Sequence, residues 1–251
     1  MSKQDQSSNQ PPEDKSRRNF VAGASALAGG LMIAPGVTLM DLAHGKPADE
    51  AVTGKVRWGM LVDTTKCVSG CNDCVTACNK QNALNSTGHP ETDAQWIRKV
   101  ELKDVKTGRT SSLPMMCQHC AKPPCVDVCP TGASFKRADG IVLVDRHICI
   151  GCRYCMMACP YKARSFVHEE HDDQNPDVPR GKGCVESCNM CVTRVDQGQL
   201  PACVDECRNG AMLFGDLNDP NSEISKRVAA TASTQVRADL GLDTGVRYQG
   251  I

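Results

Sequence analysis

Four groups of closely spaced cysteines constrain this chain more than any other feature of its sequence. The chain has 251 residues and 17 cysteines, and all but Cys184 fall into these groups. The groups are Cys67, Cys71, Cys74 and Cys78; Cys117, Cys120, Cys125 and Cys129; Cys149, Cys152, Cys155 and Cys159; and Cys188, Cys191, Cys203 and Cys207. The chain must therefore fold around whatever these thiols bind.

The spacing within the groups favours iron–sulfur clusters over zinc or disulfides. Structural zinc usually takes two ligand pairs that lie well apart in sequence. The third group instead has the spacing C-x2-C-x2-C-x3-C-P, which is that of two-cluster ferredoxins. Its first three thiolates wrap one cubane, and the fourth serves a neighbouring cubane. A structural protein stapled by zinc or disulfides is the alternative that this spacing disfavours.

The segments beside the cysteines repeat as well. "LVDTTKC" (61–67) parallels "LVDRHIC" (143–149), and both read as a short strand that ends three residues before a cysteine. Turns leading into short strands follow the last cysteine of three groups, in "CPTGASF" (129–135), "CPYKARSF" (159–166) and "CRNGAMLF" (207–214). Such self-similarity predicts repeated structural units of one kind.

Two hairpins are predicted between the cysteine groups. Residues 133–145 turn at Asp139–Gly140, and residues 96–113 turn near Thr107–Gly108. The chain contains only two Trp, three Tyr and four Phe, although aromatic side chains usually dominate buried cores. The sequence therefore predicts ferredoxin-like units in which clusters take the place of a large apolar core.

The N-terminal segment, residues 1–48, reads as a targeting signal. Arg17 and Arg18 precede Phe20 and an apolar run from Val21 to Met40, which resembles a bacterial twin-arginine export signal. A retained anchor helix is the alternative. Because this route exports folded proteins, it favours thiols that bind metal in the cytoplasm over disulfides that form outside it.

The cysteine groups, with "CNMCVTRVDQGQLPACVDEC" and "GDLNDPNSEIS", carry a family resemblance. They resemble the four-cluster [4Fe–4S] ferredoxin-type subunits of membrane-bound respiratory oxidoreductases, such as dimethyl sulfoxide, polysulfide, thiosulfate and tetrathionate reductases. The resemblance covers about residues 57–251. With the export signal, "GCVESCNMC" looks most like the iron–sulfur subunit of the membrane complex associated with dissimilatory sulfite reductase.

The resemblance implies an α+β fold of two nested ferredoxin-like domains, with a hairpin insertion and an extended C-terminal tail. Groups one and four would share an outer domain, residues 57–112 plus 181–220. Groups two and three would share an inner domain, residues 113–180. Residues 221–251 would form a tail that docks on partner subunits.

The resemblance also implies four [4Fe–4S] clusters, each of which takes its fourth ligand from the paired group. The first ligand set is Cys67, Cys71, Cys74 and Cys207; the second is Cys117, Cys120, Cys125 and Cys159; the third is Cys149, Cys152, Cys155 and Cys129; the fourth is Cys188, Cys191, Cys203 and Cys78. Sixteen ligands leave Cys184 over, as a buried free thiol.

The function that follows is electron transfer without catalytic residues. The expected partners are a multi-span quinone-reactive membrane subunit and a cytochrome or molybdopterin subunit. The protein is expected in the periplasm, peripheral to the membrane. Its expected role is in sulfur-compound respiration. An electron-transfer subunit of a molybdopterin-dependent reductase is an alternative, and a free ferredoxin is disfavoured by the tail. The formal net charge is zero and no basic block is interleaved with aromatics, so nucleic-acid binding is not indicated.

Several cations and histidines lie near the cysteines in sequence. They are Lys66, Arg153, Lys162, Arg164, Lys182, Arg194, His119 and His147. A cation beside an anionic cluster would raise its reduction potential, although salt bridging is the commoner role for any single one. Both histidines are expected to pack or to form hydrogen bonds.

Overall fold

The computed structural model describes residues 32–34, 37–38, 51–172 and 174–251. The chain forms two compact units, Met1–Gly45 and Lys46–Ile251. In the first unit, strands β1 (Met32–Ala34) and β2 (Val37–Thr38) pair antiparallel. The predicted export signal at Arg17 and Arg18 lies outside the described residues. In the part of the chain that is described, no helix has the length and apolar character needed to cross a membrane.

The second unit mixes short helices and strands, as the predicted α+β class requires. Its strands are β3 (Trp58–Asp63), β4 (Ile97–Lys103), β5 (Thr110–Met116), β6 (Ser134–Lys136), β7 (Val142–Val144), β8 (Ser165–Phe166), β9 (Val185–Glu186), β10 (Met212–Asp216) and β11 (Val246–Gln249). Its helices are α1 (Asp73–Gln81), α2 (Pro124–Asp127), α3 (Tyr154–Ala158), α4 (Val192–Asp196), α5 (Ala202–Asp205), α6 (Glu223–Ala230) and a 3-10 turn at Ala238–Leu240.

A three-stranded sheet joins distant parts of the chain. Strand β3 leads into the first cysteine group and lies in the centre, with β10 antiparallel on one side and β11 parallel on the other. Because β10 follows the fourth cysteine group, this sheet brings the first and last groups of the chain together.

Both predicted hairpins are confirmed. Strands β6 and β7 pair antiparallel and turn at Gly140, whose φ of +90° is a left-handed conformation that favours glycine. Strands β4 and β5 pair over seven residues. Their turn closes where the Asp104 amide donates to the Arg109 carbonyl at 2.8 Å.

The C-terminal segment differs from the expected extended tail. Helix α6 is capped by Ser222, whose side chain accepts a hydrogen bond from the Ser225 amide. Strand β11 then returns to the central sheet, and its Val246 and Tyr248 are fully buried. Strand β11 could not be predicted from the sequence, because it has only four residues and follows a polar stretch. Its partner, β3, lies almost two hundred residues earlier in the chain.

Cysteines make up much of the core, as expected from the scarcity of aromatics. The largest cluster of buried side chains contains Trp96, Tyr248 and Met60 together with seven cysteines. The Tyr248 hydroxyl donates to the Pro114 carbonyl at 3.0 Å and accepts from the Gln118 amide at 3.3 Å. The end of the chain therefore anchors the segment that leads into the second cysteine group.

We expect Tyr248→Ala to destabilise the protein by about 3–5 kcal/mol, because it empties a fully buried aromatic site. The thermal midpoint, measured anaerobically at a fixed scan rate, should fall by about 6 °C or more. The matched control is Tyr154→Ala at an exposed tyrosine, which should cost about 0.5 kcal/mol or less. Equal midpoints for the two variants would show that β11 is dispensable.

Candidate metal centres

The four cysteine groups share one backbone conformation. The residue before the second cysteine of each group has a positive φ: +80° at Gly70, +43° at His119, +68° at Gly151 and +56° at Met190. Left-handed turns of this kind aim successive backbone N–H groups into one concave surface, which suits an anion such as an iron–sulfur cluster. Two of the four positions are not glycine, so the surrounding structure offsets a strained conformation there.

Gly151 shows how tightly one of these loops is packed. A Cβ atom at this position would lie 2.2 Å from the Gly183 carbonyl oxygen and 3.2 Å from the Phe166 ring. Gly151 therefore has no room for a side chain, and its positive φ also disfavours any residue other than glycine. The close approach holds the loop of the third group against the chain that leads to the fourth.

Two cavities are each lined by four thiols. The first is lined by Cys117, Cys120, Cys125 and Cys159. The second is lined by Cys149, Cys152, Cys155 and Cys129. Each cavity thus takes three cysteines from one group and one cysteine from the other, which is the crossover that the family resemblance implies.

The other eight thiols also meet across groups. Cys74 lies within electrostatic range of Cys67 and of the distant Cys207. Cys78, from the first group, lies in the same way beside Cys188, Cys191 and Cys203. Asn209, two residues after Cys207, brings its amide to 4.0 Å from the Cys71 sulfur.

The spread of the thiols matters for the kind of metal they suit. Within residues 51–172 and 174–251, no three or more His, Cys, Asp or Glu side chains are grouped so as to hold a metal ion. The ligands of a [4Fe–4S] cubane stand at four separate corners, whereas those of zinc converge on one ion.

Burial makes several of the thiols poor acids without a cation. Burial raises the pKa of Cys74 to about 11 and the pKa of Cys117 and of Cys120 to about 12. The thiolate is the form that ligates a metal. The residues therefore fit a bound cationic iron core, which stabilises the thiolates in a buried site, and ligation releases their protons.

Comparison with known proteins gives the same chemistry. Two models described as 4Fe-4S dicluster domains match residues 66–133 and 109–217. The chain is 40% identical to the Hdr-like menaquinol oxidoreductase iron-sulfur subunit 1 of Archaeoglobus fulgidus, over 93% of this chain and 97% of that protein. It is 36% identical to a tetrathionate reductase subunit of Salmonella typhimurium, over 84% and 78%. It is 38% identical to protein NrfC of Escherichia coli, over 90% and 91%.

The chain belongs to the family of iron–sulfur electron-transfer subunits of respiratory oxidoreductases. Its thiols bind [4Fe–4S] clusters, and the protein carries electrons. In such a protein the groups around the sulfur atoms set the reduction potential. The hydrogen bonds to sulfur are therefore part of the functional site.

Backbone amides donate to two crossover cysteines, Cys129 and Cys207. The Ser134 N–H donates to Cys129 Sγ at 3.3 Å, and the Ala211 N–H donates to Cys207 Sγ at 3.3 Å. Both amides come from the turn and strand that follow the last cysteine of a group. The "CPTGASF" and "CRNGAMLF" motifs thus each supply an amide-to-sulfur contact, from the fifth residue after the cysteine in the first and from the fourth in the second.

Two cationic side chains contact sulfur directly. Arg164 Nη2 lies 3.1 Å from Cys125 Sγ, and Lys99 Nζ lies 2.9 Å from Cys67 Sγ. Arg164 was among the cations that the sequence suggests. Lys99 was not, because it lies on hairpin strand β4 and only the fold of that insertion brings it to the first group.

Most of the other suggested cations have different partners. Arg194 pairs with Asp205 at 2.8 Å, and Lys182 lies 3.8 Å from Glu170. Arg153 lies over the Phe166 ring, 3.7 Å from its centre. Closeness in sequence to a cysteine is therefore a poor guide to contact with its sulfur.

His119 is a hydrogen-bonding core residue, as expected. It is buried, and its Nδ1 accepts from the Val142 amide at 3.0 Å. Burial and the nearby Arg164 and Arg57 lower its pKa to about 3, so the ring stays neutral. It holds strand β7 against the loop of the second cysteine group.

Cys184 lines neither of the two cavities. It is buried, and its Sγ donates to the Arg146 carbonyl at 3.3 Å. The cavity beside it is lined by the cysteines of the third group and by Cys129, without Cys184. This placement agrees with a small buried residue that is not needed for a cluster.

We expect Cys184→Ala to keep the wild-type content of iron and acid-labile sulfide, with a packing cost of about 1 kcal/mol. The matched control is Cys188→Ala, four residues along, which should lower both contents. Anaerobic purification followed by iron and sulfide analysis per chain makes the comparison. Loss of iron from the Cys184→Ala variant would show that Cys184 is a cluster ligand.

Proposed function

We propose that this chain is a one-electron relay with four [4Fe–4S] clusters. It passes electrons between a quinone-reactive multi-span membrane subunit and a second redox partner, and has no substrate chemistry of its own. The observation that carries the proposal is the pair of cavities whose four thiols come from two cysteine groups each. The four ligand sets would each hold a cluster that supplies one-electron redox chemistry, and no bond to substrate would form.

The proposed ligand sets are the four crossover sets implied by the family. The inner pair is supported by the two cavities, and the β6–β7 hairpin connects their groups. The outer pair is supported by the thiol neighbours of Cys74 and Cys78 and by the pairing of β3 with β10. These contacts favour two nested domains, residues 57–112 plus 181–220 and residues 113–180. Strand β8 of the proposed inner domain pairs with strand β9 of the proposed outer domain, so the two domains share a small sheet.

Electrostatic interactions between thiols of different ligand sets support an order for the relay. Cys203 of the fourth set lies within electrostatic range of Cys74 of the first. Cys188 of the fourth set lies likewise beside Cys117 of the second. Cys155 of the third set lies beside Cys125 of the second. We infer the linear order first, fourth, second, third.

The burial of the thiols fits this order. All ligands of the two middle clusters are buried. At one end of the relay Cys152 is exposed, and at the other Cys67, Cys71 and Cys207 are partly exposed. Electrons would therefore enter and leave at the two ends, and the protein would shield the middle clusters from solvent and side reactions.

The two ends present different surfaces. Around Cys152 the exposed side chains include Ile148, Ile150, Tyr154 and Met157, with Ile150 and Met157 each 68% exposed. An apolar patch beside an exposed ligand suits a stable partner, and we assign the membrane subunit to this end. The other end carries the charged pair of Arg208 and Asp73. We assign the cytochrome or molybdopterin subunit to that more polar surface.

The location and the respiratory role rest on sequence. Arg17 and Arg18 before an apolar run support export by the twin-arginine route to the periplasm, where the chain would be peripheral to the membrane. The similarity to the tetrathionate reductase subunit supports a place in sulfur-compound respiration. The name of the Archaeoglobus relative supports a menaquinol-linked membrane partner.

The decisive experiment tests clusters and crossover together. Anaerobically purified protein should be brown, bleach on reduction and hold about sixteen irons per chain by the four-cluster count. Cys78→Ala should give the electron paramagnetic resonance (EPR) spectrum of Cys191→Ala, because both would disable the fourth set. The matched control Cys207→Ala should give the spectrum of Cys71→Ala.

Two results would refute parts of this proposal. Colourless wild-type protein without iron would exclude the relay. A Cys78→Ala spectrum that matches Cys71→Ala would show that each cysteine group holds its own cluster, and would remove the nested arrangement while leaving the relay.

The membrane assignment is tested by placing charges in the apolar patch. We expect Ile148→Glu with Met157→Glu to keep the iron content but to lower the membrane-bound fraction at least tenfold, because an unpaired charge in an apolar interface costs several kcal/mol. The matched control is Val105→Glu, at a residue 95% exposed on the β4–β5 hairpin. Unchanged recovery with membranes would place the partner elsewhere.

A further inference from the structure

Arg164 is a buried cation that lies between the two inner cavities. It directly precedes strand β8 and is 6% exposed. Its side chain lines the cavity of Cys117, Cys120, Cys125 and Cys159 and also the cavity of Cys149, Cys152, Cys155 and Cys129. One guanidinium group is therefore shared by two sites.

The hydrogen bonds of Arg164 reach a ligand of each site. Its Nη2 donates to Cys125 Sγ at 3.1 Å and to the Ser134 hydroxyl at 2.8 Å. The backbone N–H of Ser134 in turn donates to Cys129 Sγ at 3.3 Å. The contact is direct on the side of the second ligand set and runs through one residue on the side of the third.

The charge of Arg164 has no carboxylate to balance it among the described residues. Arg180, which is similarly buried, forms a two-point ion pair with Glu186. Arg164 has no such pair, and its Nη1 has no hydrogen-bond partner in the described part of the chain. A buried cation without a counter-charge is strongly unfavourable. Anionic clusters in the two flanking cavities would supply that counter-charge.

We propose that the single positive charge of Arg164 raises the reduction potentials of both inner clusters, which are those of the second and third ligand sets. The inference rests on the proposed relay. Reduction adds one electron to a cluster and makes it more negative by one unit, without a proton or a new bond. A fixed cation within a few ångströms stabilises that added charge, more strongly in a buried site than in water.

A shared cation has a consequence that separate cations would not have. Because both clusters interact with the same charge, its removal lowers both potentials together. The cluster of Cys125 should respond more, since its sulfur accepts the hydrogen bond from Arg164. The first and fourth clusters should not respond, because their ligands do not contact this side chain.

The test is an equilibrium redox titration followed by EPR on full-length, anaerobically purified protein. In Arg164→Gln we expect the ratio of reduced to oxidised cluster, at a fixed potential, to fall at least tenfold for both inner clusters. For a one-electron couple this is a shift of about 59 mV. Arg164→Lys keeps the charge, so its inner clusters should have potentials close to those of the wild-type protein.

Lys99→Gln provides the matched control. Lys99 contacts Cys67 of the first set, so its loss should lower the potential of that cluster and leave the inner two unchanged. The two variants should therefore give complementary patterns. A general loss of stability would not produce such a pattern.

Three results would overturn the inference. The first is Arg164→Gln protein with full iron content and unchanged inner potentials. The second is an equal shift of all four clusters. The third is loss of the inner clusters from both Arg164→Gln and the apolar variant Arg164→Met, which would give Arg164 a role in assembly instead. Wild-type protein without clusters would refute the proposed function itself, and is distinguished from these results by iron analysis.

Discussion

The burial of thiols is the physical constraint on which the rest of this structure depends. A thiolate in an apolar interior is unfavourable without a cation, and burial here raises the pKa of cysteines such as Cys117 and Cys120 to about 12. Bound iron removes that cost, so ligation and folding stabilise each other. This coupling explains how a domain with few aromatic residues and very short helices and strands can still form a core. The left-handed residue before the second cysteine of each group is the backbone feature that this arrangement requires.

Local spacing predicted the short elements of this chain better than it predicted their long-range pairing. The cysteine groups, both hairpins and the strands before Cys67 and Cys149 could be predicted from short motifs, because each depends on residues close together in the chain. Strand β11 could not, since its pairing with β3 joins the two ends of the unit and depends on the buried Tyr248. Lys99 was missed for the same reason, because the β4–β5 insertion brings it to Cys67 from 32 residues away.

The cations near the cysteines show why distance along the chain misleads. Arg164 lies five residues after Cys159 and Arg194 lies three residues after Cys191, yet Arg194 pairs with Asp205 near the surface and Arg164 contacts Cys125 in the interior. What separates them is the availability of a carboxylate. Where one is near, the arginine forms an ion pair and has little influence on a cluster. Where none is near, the only anions left for a buried guanidinium are sulfur ligands and the clusters they hold.

The same reasoning relates the two middle clusters of the proposed relay to its ends. A long-range electron carrier must shield its middle centres from solvent, yet it must expose the end centres to partners. The middle ligand sets are fully buried, and one of them adjoins a buried cation that raises its potential in the proposed arrangement. At the exposed end, apolar side chains on both sides of Cys152 in the sequence are exposed, and they form the surface to which the proposed membrane subunit would bind. In the proposed relay, burial therefore acts twice, by contributing to the potentials inside the protein and by leaving an apolar surface where electrons would cross to a partner.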